Sequence, residues 1–260
     1  MKKRKAILIG FEYENGKKLP GIIVDIYKVY HFLKKISWED SEIVVFTDIT
    51  KDYNTEILKV AIVEKTVDSE ILTFIEDLKE KEQYIEFKSH NHYNNFQSYI
   101  SNLPNYAFIY YSGHSKNENL ILPNNALISL DFFRDMLKSE ETFLVMDCCE
   151  GGINLPFILH ENLFRLEYDT SFIKSEMICI SSSLDNEKSI TSRTGSLFTR
   201  YLFEEISNPC LYNISKNIKS KVKFGNILVS QPKLHYIFNW FYKFPNIKIT
   251  LTPHFIEIKK

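Results

Sequence analysis

The 260-residue sequence lacks several features, and each absence excludes a class of protein. It has only 8 glycines and 8 prolines, too few for a fibrous or disordered chain. No apolar run approaches the roughly 20 residues that a membrane span needs. The apolar stretch behind the basic first residues is also too short for the core of a signal peptide. We therefore expect a cytoplasmic protein that has no membrane partner.

The sequence has almost no net charge, because 32 Lys and Arg balance 33 Asp and Glu to give −1 at pH 7. Without a basic surplus, we expect no binding to nucleic acid by charge. The 4 cysteines include no Cys-x-x-Cys pair, which excludes a zinc ribbon. In a cytoplasmic protein these cysteines are expected to be free thiols. Hydrophobic residues make up 44% of the chain, enough for a full core.

Segments typical of strands alternate along the chain with segments typical of helices. Short apolar or β-branched runs of strand length occur at residues 5–9, 42–47, 106–111, 142–146 and 177–181. Segments with a helical pattern occur at residues 22–33, 71–78, 96–103, 129–137, 195–206 and 211–222. Residues 247–251 alternate like an edge strand, and residues 153–176 have no clear period and are expected to form a long loop. This alternation predicts an α/β fold with a mostly parallel sheet.

Polar residues follow two consecutive buried strands of the predicted sheet. They lie at the carboxyl ends of these strands, where binding and active sites are found in such folds. Gly113 and His114 follow the strand at residues 106–111, and Cys149 follows the strand at 142–146. If the strands are parallel neighbours, their ends lie about 5 Å apart, so the thiol and the imidazole can reach one substrate. A thiolate that attacks a carbonyl while an imidazole moves the proton is a nucleophilic catalyst. From the residues alone, a structural histidine and a core cysteine remain as alternatives.

Three short motifs together resemble one family. They are FIYYSGH at residues 108–114, NLILPNNA at 119–126 and FLVMDCCEGG at 143–152. Their order and spacing resemble the caspase-like cysteine peptidases (peptidase C14 type), and within these the metacaspases and their bacterial relatives most closely. The resemblance covers residues 5–235 and implies a caspase-like three-layer α/β/α sandwich. It implies a single domain over residues 1–260, made of a larger part, a linker loop and a smaller part with a C-terminal strand, at residues 5–152, 153–176 and 177–260.

The resemblance also implies roles for individual residues. His114 matches the family's catalytic histidine and Cys149 its nucleophile, and the backbone N–H groups of Gly113 and Cys149 are expected to stabilise the oxyanion. Asp147 and Asp185 match acids that hold a basic side chain of the substrate. The implied function is a cysteine endopeptidase that uses a Cys-His dyad and cleaves a peptide or protein after Arg or Lys. We expect a monomer that needs no metal or other cofactor.

The motifs depart from the family's usual pattern beside the dyad. Ser115 replaces the usual glycine after the histidine, and Glu150 and Gly151 replace the usual His-Ser after the nucleophile. The charge of Glu150 beside the thiol would raise the thiol's pKa and weaken the nucleophile. An alternative function is therefore a catalytically inactive caspase-like regulator that binds another protease or a signalling protein. A nucleotide-binding domain is a third interpretation, which the absence of a glycine-rich phosphate loop after the first strand disfavours.

Overall fold

The structure is a computed structural model that describes most of the chain as far as residue 205 and one later strand. The described residues are 3–13, 17–49, 55–64, 67–80, 84–86, 90–123, 125–155, 157–160, 163–166, 176–183, 187–205 and 226–229.

Fourteen strands are present in the described residues, several of them only two or three residues long. In chain order they are β1 (Arg4–Gly10), β2 (Ile43–Thr47), β3 (Tyr84–Glu86), β4 (Tyr106–Ser112), β5 (Ser115–Lys116), β6 (Asn119–Ile121), β7 (Leu127–Ser129), β8 (Glu141–Asp147), β9 (Phe157–His160), β10 (Leu163–Leu166), β11 (Glu176–Ser181), β12 (Thr191–Ser192), β13 (Gly195–Ser196) and β14 (Asn226–Val229).

Six α-helices connect or flank these strands in the described part of the chain, and a short 3-10 helix covers Asp40–Glu42. The α-helices are α1 (Ile22–Lys35), α2 (Glu56–Val63), α3 (Glu70–Glu80), α4 (His90–Ser101), α5 (Leu130–Met136) and α6 (Leu197–Glu205). None of the helices in the described ranges combines the length and the apolar composition that crossing a bilayer requires.

Nine of the described strands form one sheet, in the order β10-β9-β14-β11-β8-β4-β1-β2-β3. The strands from β11 to β3 in this order run parallel to one another, and β14, β9 and β10 continue the sheet in antiparallel pairs. The central strands β1, β4 and β8 are buried on both faces, which explains their continuous apolar sequences. The mostly parallel sheet predicted from the sequence is confirmed.

Two hydrophobic cores lie on opposite faces of this sheet. In β4, Phe108 and Tyr110 pack in one core with α1, α2, α3 and α6, whereas Ile109 and Tyr111 pack in the other with α4 and α5. One strand serves both cores because successive side chains of a strand point to opposite faces. The helices on both faces confirm the predicted three-layer α/β/α sandwich.

The structure differs from the expectation in the segment 153–176, where we expected a loop. The strands β9 and β10 lie within this segment and pair antiparallel at the edge of the sheet. Each has only four residues, too few to show a clear period in the sequence. The helix expected from residue 195 begins at Leu197, after the short strand β13. The elements expected at 211–222 and 247–251 lie outside the described residues.

The N-terminus of α5 provides a test of local structure. Ser129 Oγ accepts a hydrogen bond from the Phe132 N–H at 3.1 Å, as a helix N-cap does. Ser129→Ala removes this acceptor, so we expect the free energy of unfolding to fall by about 1 kcal/mol. Ser129→Asp keeps an acceptor at the same place and should retain the wild-type stability. Urea unfolding followed by circular dichroism measures both variants, and equal losses in the two would contradict a capping role.

Candidate active site

The pairing of β4 with β8 brings His114 and Cys149 to the same edge of the sheet. The two strands are parallel neighbours, and their last residues, Ser112 and Asp147, are direct partners in the register. His114 and Cys149 each follow two residues after one of these partners, and both side chains are half-buried. The hydroxyl of Ser115 donates a hydrogen bond to the Cys149 carbonyl oxygen and so joins the two loops. The adjacency of the strand ends expected from the sequence is therefore present.

The imidazole of His114 is oriented by a backbone carbonyl from the loop after β1. Its Nε2 atom lies 2.6 Å from the carbonyl oxygen of Lys17. Because a carbonyl oxygen can only accept, this bond assigns the proton to Nε2 and leaves Nδ1 as the basic nitrogen of the neutral ring. Sequence reasoning missed Lys17, since its contribution is a main-chain atom and carries no residue-type signal.

The main chain of His114 is held by two tyrosine hydroxyls. The His114 N–H donates to Tyr13 Oη at 2.7 Å, and its carbonyl oxygen accepts from Tyr111 Oη at 2.8 Å. The ring of Tyr13 also packs beside the imidazole, with the two ring centroids 4.5 Å apart. Both tyrosines are buried. The histidine is thus fixed through its backbone, its ring face and its Nε2 atom.

The turn that carries Cys149 is supported by serines at the end of β11. The hydroxyls of Ser182 and Ser183 donate to the Cys148 carbonyl oxygen at 3.2 and 2.6 Å, and the Gly151 N–H donates to Ser183 Oγ at 3.2 Å. Cys148 itself is buried, and this burial raises the pKa of its thiol. The half-buried Cys149 thiol instead donates to the Ser189 carbonyl oxygen at 3.8 Å. Of these two adjacent cysteines, only Cys149 is open to solvent.

Glu150 links the turn to neighbouring backbone. Its carboxylate accepts a hydrogen bond from the Asn117 N–H at 2.6 Å, and its own N–H donates to the Glu187 carbonyl oxygen at 3.0 Å. Its φ of 49° lies in the left-handed region, which is uncommon for a residue other than glycine. Two of the three departures from the family pattern, Ser115 and Glu150, therefore connect the segment that follows β4 with the segment that follows β8.

Gly113, expected as an oxyanion donor, has its N–H directed to the Asp147 carbonyl oxygen at 3.4 Å. This contact continues the hydrogen bonding between β4 and β8 by one residue. It is near the long limit for a hydrogen bond, so a stronger acceptor could replace it. The N–H of Gly113 is thus engaged, although weakly, in the structure.

Asp147 lies below the two loops and is almost inaccessible, with 4% of its surface exposed. Its two carboxylate oxygens accept hydrogen bonds from the hydroxyls of Ser189 and Thr199, at 2.9 and 2.6 Å. Burial raises the pKa of Asp147, and the surrounding hydroxyls oppose this by stabilising the charged form. The other acid expected in the same pocket, Asp185, lies outside the described residues.

A second buried carboxyl, Asp25 of α1, was missed by the sequence analysis. It is fully buried and accepts from the Ser196 N–H at 2.9 and 3.1 Å. Burial raises its pKa well above the ordinary value, the charge of Asp147 adds to this rise, and Lys28 opposes it. An aspartate among the apolar positions of a helix is a signal that could have identified it.

The backbone at Gly195 passes very close to the carboxyl of Asp25. A Cβ atom at this position would lie 2.4 Å from Oδ1 of Asp25, and the φ of 93° also favours glycine. The backbone of β13 can therefore approach the carboxyl closely only because Gly195 has no side chain.

The buried pair Asp25 and Asp147 makes stability depend on pH. An aspartate in the unfolded chain ionises near pH 4, whereas burial keeps Asp25 protonated to higher pH in the folded protein. Its contribution to stability is therefore complete below about pH 4 and is lost as pH rises through the folded-state pKa. Asp25→Asn removes this dependence and keeps an oxygen for the Ser196 N–H. In urea unfolding, we expect the stability of the variant relative to the wild type to increase as the pH is raised above about 4, where an unfolded aspartate ionises. A difference that does not change with pH would contradict the assignment.

No cluster of three or more His, Cys, Asp or Glu side chains suited to a metal ion occurs among the residues that the structure describes.

A comparison with known protein families places this chain in one of them. The family model of the peptidase C14 caspase domain matches residues 3–240. Among solved structures, the chain is similar to the crystal structure of caspase-1 from Spodoptera frugiperda, with 13% sequence identity, a TM-score of 0.49, and coverage of 85% of this chain and 77% of that chain. No curated protein matches the chain. Because the family model spans most of the sequence, the chain belongs to the caspase-domain family of C14 peptidases.

Proposed function

We propose that the protein is a cysteine endopeptidase in which Cys149 and His114 form the catalytic dyad. The observation that carries this proposal is the register of β4 and β8, which pairs Ser112 with Asp147. Two residues beyond this pair, the strands present an imidazole and a half-buried thiol at one edge of the sheet. Membership of a peptidase family makes this edge the expected site of the chemistry.

The proposed reaction follows from the orientation of His114. With Nε2 bonded to the Lys17 carbonyl, Nδ1 accepts the proton of the Cys149 thiol. The thiolate attacks the carbonyl carbon of the substrate, and the bond to the leaving amine breaks as the imidazolium returns a proton to that nitrogen. Water, activated by the same imidazole, then hydrolyses the thioester and releases the second product. Water is the only co-reactant of this sequence of steps, and no electron acceptor is required.

The oxyanion formed during this attack needs hydrogen-bond donors. We propose the backbone N–H groups of Cys149 and Gly113 for this role. The N–H of Gly113 would exchange its 3.4 Å contact with the Asp147 carbonyl for a shorter bond to the oxyanion, which carries more charge.

We propose that Asp147 and Asp185, together with Asp25, select Arg or Lys before the scissile bond, as in metacaspases. The carboxyls of Asp25 and Asp147 are both buried and both have a raised pKa, which supports this specificity. A guanidinium or ammonium group would favour their ionised forms and replace mutual repulsion by attraction. Arginine can in addition form two parallel hydrogen bonds to a carboxylate.

The second candidate function is a catalytically inactive regulator that binds another protease or signalling protein. Two contacts favour it. The Cys149 thiol donates a hydrogen bond to the Ser189 carbonyl oxygen at 3.8 Å, so the protein's own backbone engages the proposed nucleophile. The carboxylate of Glu150, a departure from the family pattern, accepts from the Asn117 N–H at 2.6 Å and so ties the turn beside the thiol to neighbouring backbone.

Hydrolysis of short fluorogenic peptides separates the two functions. We expect the wild type in reductant to cleave after Arg or Lys and not after Asp. Cys149→Ala and His114→Ala should each lower kcat/KM by at least about a thousandfold, because each removes one half of the dyad. Cys179→Ala is the matched control, since it removes a buried thiol of β11 outside the site and should retain activity. The assay is run with calcium and with chelator. No cleavage by a folded wild type in either condition would favour the inactive regulator.

Substrate selection is tested with Asp147→Asn. Loss of a charged acceptor for the basic side chain should reduce kcat/KM for Arg and Lys peptides by about 10- to 100-fold, the usual effect of losing a hydrogen bond to a charged group. Asp77→Asn, an exposed aspartate of α3, is the control and should leave kcat/KM unchanged. Equal activity of Asp147→Asn and the wild type on Arg peptides, or wild-type cleavage only after Asp, would contradict the assignment.

A further inference from the structure

Two tyrosine hydroxyls lie against His114 and have no part in the reaction proposed above. The Tyr13 hydroxyl accepts from the His114 N–H at 2.7 Å and donates to the Ile121 carbonyl oxygen at 2.6 Å. The Tyr111 hydroxyl donates to the His114 carbonyl oxygen at 2.8 Å. A hydroxyl has one proton to donate and lone pairs to accept, so each of these bonds can form at the same time. The peptide groups on both sides of the His114 Cα are thereby fixed.

Tyr13 is itself held in an unusual backbone conformation. Its φ of 59° lies in the left-handed region, where a bulky residue is an outlier. The carboxylate of Asp48, at the end of β2, accepts from the N–H groups of Glu12 and Tyr13, each at 2.7 Å. Charge-assisted bonds of this kind, formed by a buried carboxylate, offset the cost of the conformation.

The loop that contains Tyr13 also supplies the carbonyl that orients the imidazole. Lys17 lies on this loop, and its carbonyl oxygen is the partner of His114 Nε2. Glu12 closes the loop, since its carboxylate accepts from the Gly21 N–H at 3.2 Å and its carbonyl oxygen accepts from the Leu19 N–H at 3.0 Å. The connection between β1 and α1 therefore supplies both the ring that packs beside the imidazole and the carbonyl that accepts from its Nε2 atom.

Gly113 shows how closely the hydroxyls approach the histidine backbone. A Cβ atom at Gly113 would lie 2.7 Å from Tyr13 Oη and 2.9 Å from Tyr111 Oη. The glycine before the histidine is therefore required by the two tyrosines, because any side chain would push the hydroxyls away from His114.

We propose that Tyr13, with Tyr111, is a positioning residue that fixes the backbone and ring of His114, and that Asp48 acts through Tyr13. Burial raises the pKa of both tyrosines, so their hydroxyls remain neutral and able to donate at physiological pH. This inference rests on the proposed dyad, because the position of His114 matters only if its imidazole acts on the Cys149 thiol.

Tyr13→Phe tests the proposal, since it keeps the aromatic ring and removes the hydroxyl alone. We expect kcat on the Arg peptide to fall by about tenfold with KM changed less than about twofold, because a misplaced imidazole affects the chemical step and not ground-state binding. Tyr30→Phe is the matched control: its buried hydroxyl bonds Asp40 at 2.6 Å, away from the site. The control should lose similar stability in urea and keep its kcat. An equal effect on kcat in both variants, or none in either, would overturn the inference.

A second readout does not depend on peptide cleavage. The rate of alkylation of Cys149 by iodoacetamide is followed against pH in the wild type, His114→Ala, Tyr13→Phe and Tyr30→Phe, because an imidazole that accepts the thiol proton accelerates this reaction near neutral pH. We expect His114→Ala to lose the acceleration, Tyr13→Phe to lose a large part of it and Tyr30→Phe to retain it.

The outcomes distinguish the endopeptidase activity from the positioning role of Tyr13. Alkylation that depends on both His114 and Tyr13, in a protein that cleaves no peptide, would support the positioning role and overturn the endopeptidase. Alkylation that depends on His114 but is unchanged in Tyr13→Phe would overturn the positioning role alone. Alkylation unaffected by His114→Ala would overturn the dyad and, with it, this inference.

Discussion

The pairing of β4 with β8 is the interaction on which the candidate site depends. Parallel neighbours end at the same edge of a sheet, and the register of these two aligns Ser112 with Asp147. A slip of one residue would turn every side chain of one strand to the opposite face. The apolar residues of both strands, which fill cores on both faces, oppose such a slip. Packing of the sheet therefore determines how far the Cys149 thiol is from the His114 imidazole.

Polar groups buried around this edge form hydrogen bonds with one another. Serine hydroxyls at the end of β11 bind the Cys148 carbonyl, Ser115 binds the Cys149 carbonyl, and tyrosine hydroxyls bind both peptide groups of His114. Buried groups of this kind are costly when left unpaired. The network therefore satisfies these groups and ties the two loops to each other and to the end of β11.

The two buried carboxyls, unlike the groups of this network, destabilise the folded protein when they are charged. Asp25 and Asp147 carry raised pKa values because burial penalises their charge, and the helix α1 brings the first close to the second. A protein seldom keeps such a pair for stability alone, since the pair destabilises the fold when it ionises. Asp147 lies two residues before Cys149, and in the proposed function this cost is connected with recognition of a cationic side chain.

Several elements of the fold and of the site were determined by sequence alone. The apolar runs of β4 and β8 identify buried strands, Ser129 identifies the start of α5, and the residues after the two strands identify His114 and Cys149. These signals are local, because strand length, caps and motifs depend on residues close together in the chain. The four-residue strands β9 and β10 carried too little pattern to be predicted.

Tertiary structure alone decided the partners of these residues. The Lys17 carbonyl lies 97 positions from His114 in the chain, and Asp25 lies 171 positions from the Ser196 N–H that it binds. The contact of Tyr13 with His114 is of the same long-range kind. A main-chain carbonyl has no residue-type signal, and a contact between distant segments exists only after the sheet has set their positions. The sequence therefore indicated which groups could react in the proposed function, and the packing of the sheet specified which groups hold them in place.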